Sequence, residues 1–549
     1  MFNMSINVKG KVFMWWKTGV IYQIYPRSFM DSNGDGIGDL MGVLSRLDYV
    51  QSLGVDAIWF SPIFPSPMRD FGYDVADYVD IHADYGTLEI FDRLLTEAHS
   101  RNIKVILDLV PNHTSDEHAW FKESRSSRDN PKRDWYIWRD PKPDGSEPNN
   151  WLSYFGGPAW TFDPHTGQYY MHNFETGQPE LNWRNPDVEN AIFDSIRFWL
   201  RRGLDGFRID VVDRLLKDQQ FRDNPMSQVE RNFGGAQFIQ ERVYSEGAPG
   251  THDVMKRLRA VFDEFPNVVA VGEISFALKP DEIALFYGKQ VDAETGDELH
   301  LPFNFGLLEK TWDATTFRDY INQYDAALPT YAWPNYVLGN HDVPRINGRY
   351  GKASARTAGL LLLTLRGTPT LYYGDEIDMV NTPIPPERML DPQGVNGAGF
   401  NRDECRTPMQ WDASHQAGFS TAEETWLPVA PEYVSNNVQT QEADPDSTLN
   451  FYRRVLAYRR ASPALHSGRY YSVETNADQQ VFVFWRRYND QASLVLLNFT
   501  GDAVTVKLPV AVKGQIKVST HQAHEGALVD GVAVALAPHE GLVIETVTA

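Results

Sequence analysis

Eight short runs rich in Val, Ile, Leu and Phe, separated by longer amphipathic stretches, constrain the fold of this chain more than any other feature. They are Val20–Tyr25, Val55–Phe60, Lys104–Val110, Gly206–Asp210, Val268–Ile274, Leu299–Phe305, Asn335–Asn340 and Thr368–Tyr373. Strand-like runs alternating with helical periodicity imply parallel strands joined by crossover helices, and eight such units close into a (β/α)8 TIM barrel of the α/β class. Between the first two runs, Leu40, Val43, Leu44, Leu47, Val50 and Leu53 recur at helical spacing and Gly54 stands where a C-terminal cap belongs. Before the fourth, Asn185-Pro186 supplies a cap and first-turn proline. Ile192, Phe193, Ile196, Trp199 and Leu200 form the apolar face, and Gly203 ends it.

Two stretches are too long for ordinary connections, 111–185 after the third run and 374–446 after the eighth. Both follow C-terminal strand ends, the side on which such barrels build sites. From about Tyr470 the pattern changes to short runs (VFVFW, SLVLLNF, VTVKL, GLVIETV) that read as antiparallel strands. The expected organisation is a barrel over 1–110 and 186–466, an inserted subdomain over 111–185, and a C-terminal β-sandwich over 467–549.

Charge excludes some partners. The net charge is −22 and no run of five Lys/Arg occurs, so neither nucleic acid nor an anionic membrane finds an electrostatic footprint. Aromatic residues at 13 % supply rings for a large core and for lining a site for a neutral ligand. No apolar stretch approaches the ~20 residues that span a bilayer. The start MFNMSINVKGKVFMWW lacks the apolar core of a secretory signal, and the one cysteine, Cys405, has no internal disulfide partner, so a reduced, cytoplasmic setting is expected.

Polar residues gather at the strand ends: Asp108-Leu-Val-Pro-Asn112-His113, Gly206-Phe-Arg208-Ile-Asp210, Gly272-Glu273 and Asn340-His341-Asp342. Any one could be a core ion pair; four at one rim suggest a catalytic site. With these motifs, the chain resembles the α-amylase superfamily, glycoside hydrolase family 13, over nearly its whole length. Gln178-Pro179-Glu180-Leu181-Asn182, Asp70-Phe-Gly-Tyr73-Asp and Arg406-Thr-Pro-Met-Gln-Trp are similar to the oligo-1,6-glucosidase and α-glucosidase group. The resemblance implies a retaining exo-α-glucosidase acting on a small oligosaccharide or disaccharide, as a monomer or homodimer. Asp210 is then the nucleophile and Glu273 the acid/base, Asp342 binds ring hydroxyls, and His113 and His341 donate hydrogen bonds to the sugar. Retention needs the two carboxyls about 5 to 5.5 Å apart. Arg208, two residues before Asp210 on a strand, points to the same face and holds its charge. By the same resemblance Asp70 and Arg406 form an ion pair closing the pocket, Tyr73 stacks on the terminal sugar, and Phe155 and Phe305 wall the leaving-group side. Val211, following the nucleophile, accompanies α-1,6 activity in relatives.

Asp31-Ser-Asn33-Gly-Asp35-Gly-Ile37-Gly-Asp39 repeats oxygen donors at alternate positions, as calcium loops do, but Gly42 stands where an EF-hand has glutamate. It resembles the single structural metal loop of the same group, which implies Ca²⁺ or Mg²⁺ on Asp31, Asn33, Asp35, the Ile37 carbonyl and Asp39. An Asx-turn loop without metal is the alternative. No His/Cys cluster points to zinc, and no organic cofactor is expected. A rival activity on this scaffold is an α-glucosyltransferase or a sucrose-type isomerase or hydrolase. Against the isomerase, GLLEKTWDATTF follows Phe305 in place of an arginine-rich segment. A catalytically dead transporter subunit is disfavoured, because the carboxylates are present and no membrane anchor is.

Overall fold

The computed structural model describes residues 14–233, 236–275, 278–397 and 399–547; the start from which a cytoplasmic setting was expected lies, over 1–13, outside them. Every hydrophobic run becomes a strand: β1 (Ile21–Ile24), β2 (Ala57–Phe60), β3 (Lys104–Leu109), β4 (Gly206–Ile209), β5 (Val269–Gly272), β6 (Leu301–Asn304), β7 (Asn335–Tyr336) and β8 (Thr370–Tyr372). They pair in parallel in the order β7-β6-β5-β4-β3-β2-β1-β8, and a bridge between Val337 and Thr370 joins the two ends into a barrel. The runs are hydrophobic throughout because both faces are buried. Ile21, Ala57, Trp59, Ile106, Val269 and Phe303 fill the interior, while the alternate residues Tyr22, Ile58, Phe60, Val105 and Phe207 meet the helices outside.

The helix read between β1 and β2 forms as two pieces, Leu40–Ser45 and Leu47–Leu53, broken at Arg46 and closed by Gly54 at φ 89°. Asn185 caps Pro186–Arg201 by accepting from the Asp187 N–H. Within 111–185, Trp138–Arg139, Gln168–Met171 and Trp160–Asp163 form a small antiparallel sheet. Glu180 of the QPELN motif fastens this insertion to the barrel. Fully buried, it accepts from Asn112 Nδ2 at 2.7 Å and pairs with Lys217. The stretch 374–446 is built of single turns and short helices. A hairpin, Met226–Phe233 with Ala236–Gln240, was not expected from sequence.

The C-terminal strands are β9 (Arg469–Val473), β10 (Val481–Tyr488), β11 (Gln491–Asn498), β12 (Val504–Ser519), β13 (Leu528–Leu536) and β14 (Gly541–Val547). In place of the two sheets of the expected sandwich they form one antiparallel sheet, ordered β9-β10-β11-β14-β12-β13. The long β12 pairs with both β13 and β14, with register breaks between Lys507 and Val512 and between Ile516 and Val518. One face (Val483, Leu494, Leu496, Val506, Leu542) makes a core of its own, and the other (Phe482, Phe484, Val495, Leu497, Val543) packs on the barrel. The barrel thus covers one face, while side chains of β9 to β14 themselves enclose the other.

Candidate active site

Strand register places the first charges. Asp108 of β3 lies opposite Arg208 of β4, and Asp210 follows two residues after Arg208. Arg208 Nη1 donates to Asp108 at 2.9 and 3.0 Å and to Asp210 Oδ1 at 2.9 Å, while its Nη2 donates to Glu273 at the end of β5. One buried guanidinium thus bridges three carboxylates, with Trp59 5.1 Å from its centre. Asp210 and Glu273 thus stand side by side on one guanidinium. Burial, then the Glu273 charge, pushes Asp210 well above the ordinary carboxylate range against the pull of Arg208.

Asp342 behaves oppositely. Burial alone would raise it, but His341, Arg402, Arg406 and Arg208 together outweigh burial and hold it well below the usual range. Because burial keeps His341 itself neutral, its pKa down at about 3, the arginines do this work at neutral pH. Arg402 Nη1 reaches Asp342 Oδ1 at 3.2 Å and Arg406 Nη2 reaches the same oxygen at 3.0 Å. Asp342 is 28 % exposed, so its charge faces the opening.

The expected Asp70–Arg406 closure is corrected. Asp70 Oδ1 accepts from Arg402 Nη2 at 2.8 Å, and its Oδ2 from Gln178 Nε2 at 3.1 Å. Arg406 is fully buried and is spent on Asp342 and, at 2.8 Å, the His341 carbonyl. The two arginines are four residues apart on one turn, Arg402–Cys405, and the first of them faces Asp70. Asp391 orients Arg402, accepting from its Nη2 at 2.6 Å, its Nε at 2.9 Å and its backbone N–H at 2.7 Å.

The histidines are held among protein groups. His341 Nδ1 accepts from Gln23 Nε2 at 2.8 Å and its Nε2 meets the Tyr73 hydroxyl at 2.7 Å. His113 Nδ1 lies 3.0 Å from Asn112 Nδ2 and its Nε2 3.1 Å from the Tyr73 carbonyl. Both nitrogens of each ring meet protein groups, so in this structure the two histidines hold Tyr73. Tyr73 stacks on His341 at 5.3 Å and donates to Asp108 at 3.1 Å. Phe155 lies 4.9 Å from the Arg402 guanidinium, beside the wall. Phe305 is buried against Phe303 in the barrel interior, with 2 % exposure and so little surface to offer a ligand.

Val211 takes φ 37° and ψ 52°, a left-handed conformation that is costly for a β-branched residue. Its N–H points toward Glu273 Oε2 at 3.5 Å. Sequence reading placed Asp108 at the rim without giving it a role, and missed Arg402 and Asp391 as site residues. Asp108 was findable, being the polar residue of β3 that registers with Arg208; Arg402 and Asp391 lie where no periodicity guides the eye.

The loop Asp31–Asp39 closes by Asx turns. Asp31 Oδ1 accepts from the N–H of Asn33 and Gly34, and Asp35 Oδ1 from that of Ile37. Asp39 caps Leu40–Ser45. Ser420 donates to Asp31 Oδ2 at 2.5 Å, tying the loop to the stretch that carries Arg402. The donors are all hard oxygens, which fits Ca²⁺ or Mg²⁺. In this structure the carboxylates of Asp31, Asp35 and Asp39 are not gathered within 4.8 Å of one another, so an ion would have to draw them in.

Residues 23–468 match the family model described as "Alpha amylase, catalytic domain". The chain is 45 % identical over 513 residues to a "Probable alpha-glucosidase" of Rhizobium meliloti (strain 1021), covering 90 % of this chain and 91 % of the relative. It is 37 % identical to an oligo-1,6-glucosidase of Parageobacillus thermoglucosidasius, covering 90 % and 92 %. Among solved structures, the α-glucosyl transfer enzyme XgtA superposes with a TM-score of 0.91 at 40 % identity, over 97 % of this chain and 100 % of that one. The trehalulose synthase MutB of Pseudomonas mesoacidophila MX-45 does so at 0.88 and 36 % identity, over 97 % and 99 %.

Proposed function

As this chain belongs to the α-amylase family, glycoside hydrolase family 13, and is a glycoside hydrolase, we propose that it is a retaining exo-α-glucosidase. It releases glucose from the non-reducing end of short α-1,6 or α-1,4 glucosides. The observation that carries the reading is the pairing of Asp210 and Glu273 across Arg208, with the Asp70–Arg402–Asp342 cluster forming a charged wall. A wall of this kind admits one terminal sugar and bonds its far hydroxyls.

The chemistry follows from the two carboxyls that Arg208 holds side by side. When a substrate separates the two carboxyls, Asp210 attacks the anomeric carbon, and the glycosidic bond breaks with its electrons passing to the leaving oxygen, which takes the proton from Glu273. Glu273, now ionised, takes a proton from water as that water attacks the glucosyl–Asp210 ester and frees Asp210. Arg208 fixes Asp210 through Oδ1, leaving Oδ2 for attack. Asp342, kept ionised by its arginines, stabilises positive charge at the ring in both steps.

A second reading is favoured by the likeness to XgtA: the glucosyl intermediate passes to a sugar hydroxyl instead of water. Maltotriose and isomaltotriose labelled at the reducing end test both. Unlabelled glucose appearing first as the α-anomer is expected; β-glucose first, or internal cleavage, overturns the main reading. Longer labelled products at high sugar measure the transfer fraction.

Asp31, Asn33, Asp35, the Ile37 carbonyl and Asp39 would hold one Ca²⁺ or Mg²⁺, whose positive charge would brace the loop without entering the reaction. Among the described residues, no helix is long and apolar enough to cross a membrane. The single thiol, Cys405, is buried, and a cytoplasmic location is proposed on that ground.

A further inference from the structure

We propose that the C-terminal sheet carries a binding site for a divalent transition ion of the zinc class, formed by His521, His524 and Glu540. His521 and His524 stand on the turn after β12, with ring centroids 6.1 Å apart. Glu540 comes from the residue just before β14. One donor atom from each of the three lies within 4.8 Å of the others. In sequence only His521-Gln-Ala-His524 is adjacent, and the third donor is supplied by a separate segment.

Glu540 points to an ion. It is fully buried, and among the described residues its only salt bridge is to His524 Nδ1, at 2.5 Å. A buried carboxylate with no lysine or arginine is costly unless another cation meets it. Its remaining bonds aim it: Oε1 accepts from Ser519 Oγ at 2.8 Å and Oε2 from the Ala537 N–H at 2.8 Å. Oriented carboxylates of this kind are what metal sites place behind or among their ligands. His524 Nδ1 already meets Oε1, and His521, exposed like His524, completes the set of donors.

The donor set selects the metal class. Two imidazole nitrogens and one carboxylate oxygen suit Zn²⁺, with water completing four-coordination. Ni²⁺ and Cu²⁺ share that preference, whereas Ca²⁺ and Mg²⁺ take oxygen donors. The site lies where the sheet meets the barrel: His521 lines a groove with Lys352, Arg356 and Asp378, and Arg356 reaches the Thr520 carbonyl at 3.4 Å. An ion there would pin the β12–β13 turn and stabilise that contact.

The test uses tag-free, chelator-stripped full-length protein titrated with Zn²⁺ by calorimetry, with melting temperature followed in parallel. The expected result is one saturable zinc per chain that raises Tm. In His521→Ala and in His524→Ala the affinity should fall at least about tenfold and the Tm rise should vanish, with kcat unchanged. Calcium should not compete. Equal zinc binding in wild type and both histidine variants, or no binding in wild type, overturns the site. Glu540→Gln adds a third arm, and because the histidines are exposed the test stands even if that variant folds poorly.

Discussion

Arg208 and Arg402 are built alike and act oppositely. Each is buried and touches three carboxylates, Asp108, Asp210 and Glu273 in the first case and Asp70, Asp342 and Asp391 in the second. Around Arg208 one positive charge serves three buried acids, and Asp210 is pushed up. Around Arg402 a second cation, Arg406, reaches Asp342, and Asp342 is pushed down. The difference teaches that burial raises a carboxyl even beside a cation, as at Asp210 and Asp70, and that it takes two arginines on a partly open carboxyl, as at Asp342, to reverse it. A double displacement needs Asp210 ionised as it attacks and Glu273 protonated, so a substrate must displace the balance around Arg208, while Asp342 keeps the fixed negative charge that steadies the ring.

The sharpest way to break the first centre is to remove its reacting groups. Asp210→Asn and Glu273→Gln are each expected to lower kcat by about 10³-fold or more, because they delete the nucleophile or the proton donor. Tm should change little. Near-normal turnover in either variant would remove that residue from its role. With Glu273→Gln, an activated aryl glucoside, whose leaving group needs no proton, should recover much of the first step.

The second centre is probed by Arg402→Gln. Breaking a buried charge pair costs about 2 to 5 kcal/mol, so kcat/KM for disaccharides should fall by at least about 30-fold. Losing one cation lets the Asp342 pKa rise, so the acidic limb of kcat/KM should move to higher pH. Arg406→Gln should move the limb in the same direction but leave the Asp70 contact intact, so a deoxyglucoside lacking the far hydroxyls should be penalised by it as much as the parent sugar is. If Arg406→Gln, and not Arg402→Gln, abolishes discrimination of those hydroxyls, the wall belongs to Arg406 after all.

The same contrast explains what the sequence made legible. Arg208, Asp210 and Asp108 lie on regular strands, where alternation and register dictate who faces whom. The eight strand runs were readable because barrel strands are buried on both faces. Arg402 sits on a turn in a long stretch whose path is set by packing and hydrogen bonds, and its partners come from after β2, after β7 and from Asp391. Family motif position pointed to Arg406, four residues away, since sequence alone does not reveal which of two nearby arginines a turn aims inward. The histidines make a related point: a motif names a residue but does not count its hydrogen bonds, and in this structure both nitrogens of each ring meet protein groups. The single C-terminal sheet was hidden because alternation reports burial and not which layer covers a face.

A smaller effect tests how the second centre is held. The Asp31–Asp39 loop bonds Ser420 of the stretch that carries Arg402. Chelation, or Asp35→Ala, should therefore lower Tm by several degrees while kcat of the folded enzyme changes less than twofold. Added Ca²⁺ should restore Tm to the chelated wild type but not to the variant. An unchanged Tm on chelation would support a loop closed by its Asx turns alone.

The smallest expected effect lies beside the first centre, at Val211. Its left-handed backbone sets the residue between Asp210 and the Glu273 carboxyl, next to where the leaving oxygen must pass. Val211→Thr keeps the β-branched shape, so the strain of φ 37° is present in both proteins and cancels in the comparison. What changes is one methyl for a hydroxyl, a group able to bond the aglycone sugar. An α-1,6 bond departs through a flexible methylene and an α-1,4 bond through a crowded secondary carbon, so the fixed hydroxyl should favour the second. The ratio of kcat/KM for maltose over isomaltose is expected to rise about tenfold, equivalent to about 1.4 kcal/mol. A matched fall in both substrates would mean that the hydroxyl disturbs Glu273 instead of meeting the sugar. An unmoved ratio would assign linkage preference to the stretches 111–185 and 374–446, and so to the Arg402 side of the site.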